Sequence, residues 1–251
     1  MSEFFLELFS EEIPAGLQKN LREKIFEEFK NLFEEKSIKS KKNFSFSTPN
    51  RLVLVFEGLD KQIKVKSKEI RGPKTSAPEQ ALEGFLRSNK INKKDLFKKK
   101  TEKDEFYFYK TVATSLKTHD LLTEFIPKIL SNYQWKKSMK WGEFDLNWGR
   151  PLKSILSIFD KKIVSFKFHH LASSNLTFLD KDFEEKKRSF ENFKKYEKFF
   201  EDNGVIVNQN KRLKIINKSF LKILGKKGLK ISKNPKLMDE VVNLVDSPNV
   251  L

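Results

Sequence analysis

Two short segments place an indole beside a cation and a glycine: Ser138-Met139-Lys140-Trp141-Gly142 and Asn147-Trp148-Gly149-Arg150-Pro151. RNA-binding surfaces use this pairing, the ring stacking on an unpaired base while the cation meets phosphate. The competing reading is burial of the indoles in a β core. Arg51 and Arg71 are two of only 7 arginines, against 44 lysines. An Arg kept in so Lys-rich a chain points to a need for the planar bidentate fork. Contact with RNA and a structural ion pair both meet that need, and both stay open for each residue. Lys68 and Lys74 flank Arg71-Gly72-Pro73 and complete a basic loop.

Other chemistries find little support. No GxxxxGK[ST] or GxGxxG phosphate loop occurs. The chain has no cysteine, so thiolate ligands, Cys nucleophiles and disulfides are excluded. Its three histidines are His119, His169 and His170. His119-Asp120 reads as a polar helix start before Leu121. His169-His170, on a strand expected over 163–170, would point to opposite faces and could not share one metal. Glu11-Glu12 precedes Pro14 and reads as acid stabilising a helix N-terminus rather than as a catalytic carboxylate pair. No serine sits in a nucleophile-elbow sequence. Neither a metal site nor a catalytic set is expected here.

The chain that must position these residues has 251 of them, enough for one large or two small domains. Mean hydropathy is −0.58, yet 13% of residues are aromatic, 25 of them Phe. Disordered chains lack such aromatic content, so a sizeable core is expected. Lys+Arg 51 against Asp+Glu 34 gives a net charge of +17. Such a field attracts polyanions, nucleic acid first. The abundance of Lys, Asn, Phe and Ile also fits an AT-rich genome, so the charge supports an RNA partner without establishing one. No apolar run approaches the roughly 18 residues of a membrane span. The acidic start MSEFFLELFSEEIP is no signal peptide. A cytoplasmic protein without membrane partners is expected.

Apolar periodicity supplies the elements. Phe4–Phe9 alternates weakly and predicts a strand. Leu17, Leu21, Ile25, Phe29 and Phe33 recur every four residues and predict a helix over 14–36. Residues 44–47 and 51–56 predict a hairpin or two neighbouring strands. Residues 61–78 read as a strand running into a loop, 79–89 as a short helix, and Lys98-Lys99-Lys100 as part of a Lys-rich connection. Phe106–Val112 predicts a strand, and Leu121–Leu130 a helix that Pro127 kinks or divides. Ile155–Phe159 and Ile163–Phe168 predict a strand pair. Helices are expected from Asp182 to Asn203, over 213–223 ended by Gly225 or Gly228, and over 237–245. The fold class is α+β: mixed or antiparallel sheets with flanking helices and a more helical C-terminal third. The expected division is an α+β region over 1–180 and a mostly helical region over 181–251. The apolar stub Pro248-Asn249-Val250-Leu251 suggests that this region continues into a missing C-terminal part.

Taken together, the motifs resemble the β subunit of bacterial glycyl-tRNA synthetase. Phe5-Leu6-Glu7-Leu8-Phe9-Ser10-Glu11-Glu12-Ile13-Pro14 is similar to its LLEIGTEELP opening. Thr48-Pro49-Asn50-Arg51-Leu52 is similar to TPRRLAV. Lys68-Glu69-Ile70-Arg71-Gly72-Pro73 resembles its KRGP segment, followed as in the family by Ala81, Gly84 and Phe85. Lys137–Gly142 resembles K.MRWG, and Arg150-Pro151 before Ile155-Leu156 resembles RP.HWIVAL. Glu240–Val250 resembles EVA.LVE.PVVL. Where the family has T.GHRF, this chain has Thr177-Phe178-Leu179-Asp180-Lys181, without the Gly-His.

The resemblance covers about the first third of the family's β subunit, so its later HD-like and anticodon-binding regions would be missing. It implies a subunit of a class II glycine–tRNA ligase, assembled as α2β2. The α subunit would use ATP and Mg2+ to charge tRNA(Gly). The β subunit would grip that tRNA and the α dimer, with no cofactor of its own. The N-terminal part in turn resembles the tRNA-facing B3/B4-type modules of phenylalanyl-tRNA synthetase. Residues expected at RNA are Arg51, Lys68, Arg71, Lys74, Lys140, Trp141 and Arg150. The alternatives are a free-standing RNA-binding module and a small-molecule or editing enzyme on the same scaffold.

Overall fold

A computed structural model describes residues 2–65, 67–101, 104–112, 114–179, 187–228, 232 and 234–250. The first half runs β1 (Glu3–Ser10), α1 (Ala15–Glu35), β2 (Lys42–Thr48), β3 (Arg51–Glu57), β4 (Gln62–Val65), β5 (Glu69–Lys74), α2 (Glu79–Asn89), β6 (Leu96–Lys100), β7 (Glu105–Lys110), β8 (Thr114–Lys117) and α3 (Thr118–Asn132). The second half runs β9 (Met139–Lys140), β10 (Asn147–Trp148), β11 (Leu152–Phe159), β12 (Lys162–Ile163), β13 (Lys167–Phe168), β14 (Leu171–Ser174), β15 (Leu176–Phe178), β16 (Lys187–Ser189), α4 (Phe193–Asp202), α5 (Gln209–Lys227) and α6 (Pro235–Leu244). The fold class is α+β.

Backbone packing divides the chain into two compact units, residues 1–61 with 118–251, and residues 62–117. The boundary expected at 180/181 falls on residues outside the description.

The first unit is built on a sheet in the order β13-β14-β11-β1-β3-β2, with β12 also paired to β11. β1 is antiparallel to both β3 and β11. Its weak alternation has a physical cause. Both faces of this central strand are covered, so apolar residues occupy both phases of the pleat. Phe4 joins Phe29, Phe33 and Phe56 under α1. Phe5 joins Phe46, Phe193 and Tyr196 under α4. The four-residue repeat of α1 supplies Leu21, Ile25, Phe29 and Phe33, all buried.

The helices after α4 lie against this same sheet unit. Arg212 in α5 is fully buried. Its guanidinium donates to the carbonyls of Val242 (3.0 Å), Ile206 (2.6 Å), Val207 (3.0 Å) and Ser47 (2.8 Å). One side chain thereby ties α5 to α6 and to β2. Arg22 in α1 donates to the Ser47 hydroxyl at 2.7 Å.

The second unit holds two antiparallel ladders. β4 pairs with β8, and β5-β7-β6 form a three-stranded sheet. A Cβ on Gly72 would lie 3.0 Å from the Phe85 ring, so the absence of a side chain there lets α2 pack close to β5.

Several elements differ from expectation. Lys98-Lys99-Lys100 is not a connection but most of β6. Lysine is a common guard of a sheet edge, and a strand so guarded carries no apolar alternation to detect. Pro127 lies inside α3 without dividing it. His169-His170 do not extend a strand: His169 has φ 52° and turns the chain between β13 and β14. Residues 182–186 of the expected helix lie outside the description. Residues 187–189 pair as β16, and α4 starts only after Asn192, whose side chain accepts from the Lys195 N–H. α5 runs past Gly225 and is capped at Gly228, whose φ is +63°. Glu11 and Glu12 precede the first turn of α1, beyond the short reach of its dipole. Glu11 instead pairs with Lys153 at 2.5 Å.

Candidate nucleic-acid interface

Arg51 is the first residue of β3 and is only 2% exposed. Its Nε lies 3.0 Å from Glu7 Oε1. Its Nη2 donates to the carbonyls of Phe178 (2.6 Å) and Leu179 (2.9 Å). The rings of Phe9 and Phe200 lie 4.7 and 4.6 Å from the guanidinium carbon. The Tyr196 hydroxyl donates to the same Glu7 oxygen at 2.9 Å. Burial pushes the Glu7 carboxyl above its ordinary range, opposed most strongly by the Arg51 charge. Burial likewise holds the Tyr196 phenol well above its ordinary range. Arg51 is therefore an internal ion pair. Its expected place at RNA is corrected, since the guanidinium is enclosed, paired with Glu7 and bonded to main-chain carbonyls, out of reach of phosphate.

The two Trp-Gly segments meet. β9 and β10 pair Lys140 with Asn147 and Met139 with Trp148. Trp148 is buried, with Trp135 edge-on at 5.0 Å and Phe168 at 5.8 Å. A Cβ on Gly149 would lie 2.3 Å from the Trp135 ring, so any side chain there would have to push that ring aside. Trp148 thus follows the core reading. Trp141 is half-buried and donates its Nε1–H to the Trp148 carbonyl at 3.2 Å. Lys140 is exposed and lies 3.0 Å from Asp145, whose carboxyl it holds below its ordinary range by hydrogen bonding. Arg150 donates from Nε to the Glu12 carbonyl at 3.1 Å. Beside them is a cavity of about 480 Å3, lined by Trp141, Phe144, Leu146, His170 and Leu171 among others. The Phe144 and His170 rings stack at 3.7 Å.

Lys68, Arg71 and Lys74 belong to the second unit and are exposed. The main chain of Lys68 is fixed by Thr111, whose hydroxyl accepts from its N–H at 2.7 Å. Lys74 pairs with Asp104 at 2.7 Å. Arg71 lies 3.6 Å above the centre of the Phe106 ring. It forms no ion pair among the described residues. The structural ion pair considered for it is absent there, and its position is set by stacking instead.

The expected residues thus fall into three places. Arg51 is interior, Lys140, Trp141 and Arg150 stand together on the first unit, and Lys68, Arg71 and Lys74 stand on the second. Among the described residues no three His, Cys, Asp or Glu gather as a metal site. Among the same residues no helix is long and apolar enough to cross a membrane. No motif in the sequence marks Arg212. The only signal open to sequence was its rarity as one of the 7 arginines.

A family model described as glycyl-tRNA synthetase beta subunit matches residues 4–251. The chain belongs to that family. The glycine–tRNA ligase beta subunit of Rickettsia bellii (strain OSU 85-389) is 38% identical over 251 residues. Those of Rickettsia canadensis (strain McKiel) and Rickettsia typhi (strain ATCC VR-144 / Wilmington) are 36% and 38% identical. Each match covers 100% of this chain and 38% of the relative, so the chain spans well under half the length of these proteins.

In this glycyl-tRNA synthetase beta subunit family member the motif segments converge in space. Glu7, Arg51 and the main chain of 178–179, drawn from three segments, meet at the buried ion pair. Lys140-Trp141-Gly142 and Trp148-Gly149-Arg150 meet at the indole cluster. The last two residues of the segment lacking the family's Gly-His, Asp180 and Lys181, lie outside the description.

Proposed function

We propose that this chain acts as part of the β subunit of glycine–tRNA ligase. It binds tRNA(Gly) and docks on an α subunit that uses ATP and Mg2+ to charge the tRNA with glycine, in a cytoplasmic α2β2 assembly. The observation that carries this reading is the family match over residues 4–251. The net charge of +17 supports an RNA partner. Lys68, Lys74 and Lys140 would meet phosphate as point charges, and Arg71 would add a planar fork. Trp141 offers a half-exposed ring, and Arg150 stands beside it with its Nε committed to the Glu12 carbonyl. Arg51 is left out of this set.

The test is glycine-dependent exchange between ATP and pyrophosphate, with the chain alone and with the α subunit present. The expected result is no exchange by the chain alone and exchange once α is added. Exchange by the chain alone would place the aminoacylation site in these residues and overturn the proposal.

A further inference from the structure

The sheet of the second unit has two unlike faces. β5 bulges between Arg71, which pairs with Phe108, and Lys74, which pairs with Phe106, so Gly72 and Pro73 stand opposite Tyr107, on the other phase of the pleat from Arg71. The Phe85 ring occupies the space a Gly72 Cβ would enter. Helix α2 therefore backs the face away from Arg71. The register of β6 and β7 sets Phe97 beside Phe108 and Lys99 beside Phe106, and that of β5 and β7 sets Arg71 beside Phe108. Arg71, Phe97, Lys99, Phe106 and Phe108 thus share the face away from α2, where Phe106 is buried beneath Arg71, Phe108 is half-buried and Phe97 is exposed.

On this face rings and cations are layered. Arg71 lies over Phe106 at 3.6 Å, and Lys74 at 5.9 Å. Lys99 lies 5.6 Å over Phe108, and Phe97 stacks on Phe108 at 6.0 Å. Phe97 is 36% exposed, high for a Phe on a strand. The unit is strongly basic: residues 62–117 hold 15 Lys and Arg against 7 Asp and Glu, a net +8 in 56 residues. The acids on or beside the face are Glu69, paired with Lys99 at 2.9 Å, and Asp104, paired with Lys74. Arg71 has no acidic partner among the described residues. One side of its guanidinium rests on Phe106, which leaves the outer side and its hydrogen-bond donors to a ligand.

We infer that this face binds single-stranded RNA, unpaired bases stacking on Phe97 and on the outer plane of Arg71 while Lys99, Lys74 and Arg71 meet the phosphates. The chemistry fits a polyanion with flat rings. A duplex hides its base faces and could use only the cations. A protein partner would gain little from exposed lysines at its centre, since interface cores are depleted in Lys. The inference rests on the reading of the chain as RNA-binding and narrows it to unpaired nucleotides on one sheet face.

The test uses the whole chain with three labelled probes: an eight-nucleotide oligoadenylate, an RNA duplex of equal phosphate number, and tRNA(Gly). Phe97→Leu keeps apolar volume and removes the ring, and Phe97→Trp restores a ring. The octamer should bind wild type more tightly than the duplex does. Phe97→Leu should weaken the octamer by about fivefold or more, the effect of one stacked base, with duplex affinity and melting temperature unchanged. Phe97→Trp should bind the octamer like wild type. Unchanged octamer affinity in Phe97→Leu would overturn the inference and leave a phosphate-only surface. Loss of α-subunit association with RNA binding intact would overturn it in favour of a protein contact. Wild-type binding to tRNA but not to the octamer sinks this inference alone, whereas no binding to any RNA sinks the wider reading as well.

Discussion

Glu7 and Arg51 form an ion pair enclosed on the α4-facing side of the sheet, with Nε 3.0 Å from Oε1 and both side chains at 2% exposure or less. Buried pairs of this kind add little net stability relative to apolar residues, but breaking one strands a charge. Here the stranded charge would sit beneath Tyr196 and beside Phe200, in the centre of a core cluster.

Arg51→Met should therefore destabilise the chain at neutral pH by about 3–5 kcal/mol, read by denaturant unfolding. The loss should shrink as pH falls. Without Arg51, the Glu7 carboxyl, already raised by burial, rises further above its unfolded value. Stability is then retained below the ordinary carboxyl value and lost as pH climbs through the raised one. Adding Glu7→Gln should recover much of the loss. A pH-independent cost would mean that cavity formation, not charge, dominates.

Gly149→Ala puts a methyl where the Trp135 ring lies 2.3 Å away. Overpacking of this kind costs about 1–3 kcal/mol. Melting temperature should fall, and tryptophan emission should change as Trp135 is pushed off Trp148. An unaltered spectrum and melting temperature would show that the ring swings aside freely.

Arg71→Lys replaces a stacked fork with a point charge. The contact with Phe106 is worth about 0.5–1 kcal/mol at an exposed site, so thermal stability should stay near wild type. Affinity for tRNA(Gly) should drop, because the bidentate donors are lost. A lower melting temperature with unchanged RNA affinity would assign Arg71 to folding alone.

Periodicity was enough for α1, β1 and the β2–β3 hairpin, because their apolar residues meet one local core. It failed where a non-local rule decides. β4 finds β8 by pairing Ile63 with Leu116 across most of the second unit, and no local pattern announces that closure. β6 is hidden because its lysines guard an edge. Phe190 fits a helical repeat in the sequence, yet it precedes α4 and packs on Tyr196 and Phe200. At the candidate interface, residue type marked Arg51, Arg71 and the Trp-Gly pairs as special. It could not say which faced inward, since a fork that suits phosphate suits a buried carboxylate equally well. Burial alone separates Arg51 from Arg71.

The most direct measurement of the proposed RNA-gripping role is the affinity of the chain for tRNA(Gly) across a salt series. Each phosphate neutralised in a duplex region contributes about −0.9 to the slope of log affinity against log salt, and about −0.7 in a single strand. With Lys68, Lys74, Lys140, Arg71 and Arg150 engaged, the slope should be steep, roughly −3 or beyond. A flat response would contradict the assignment and leave the +17 charge as a product of base composition alone.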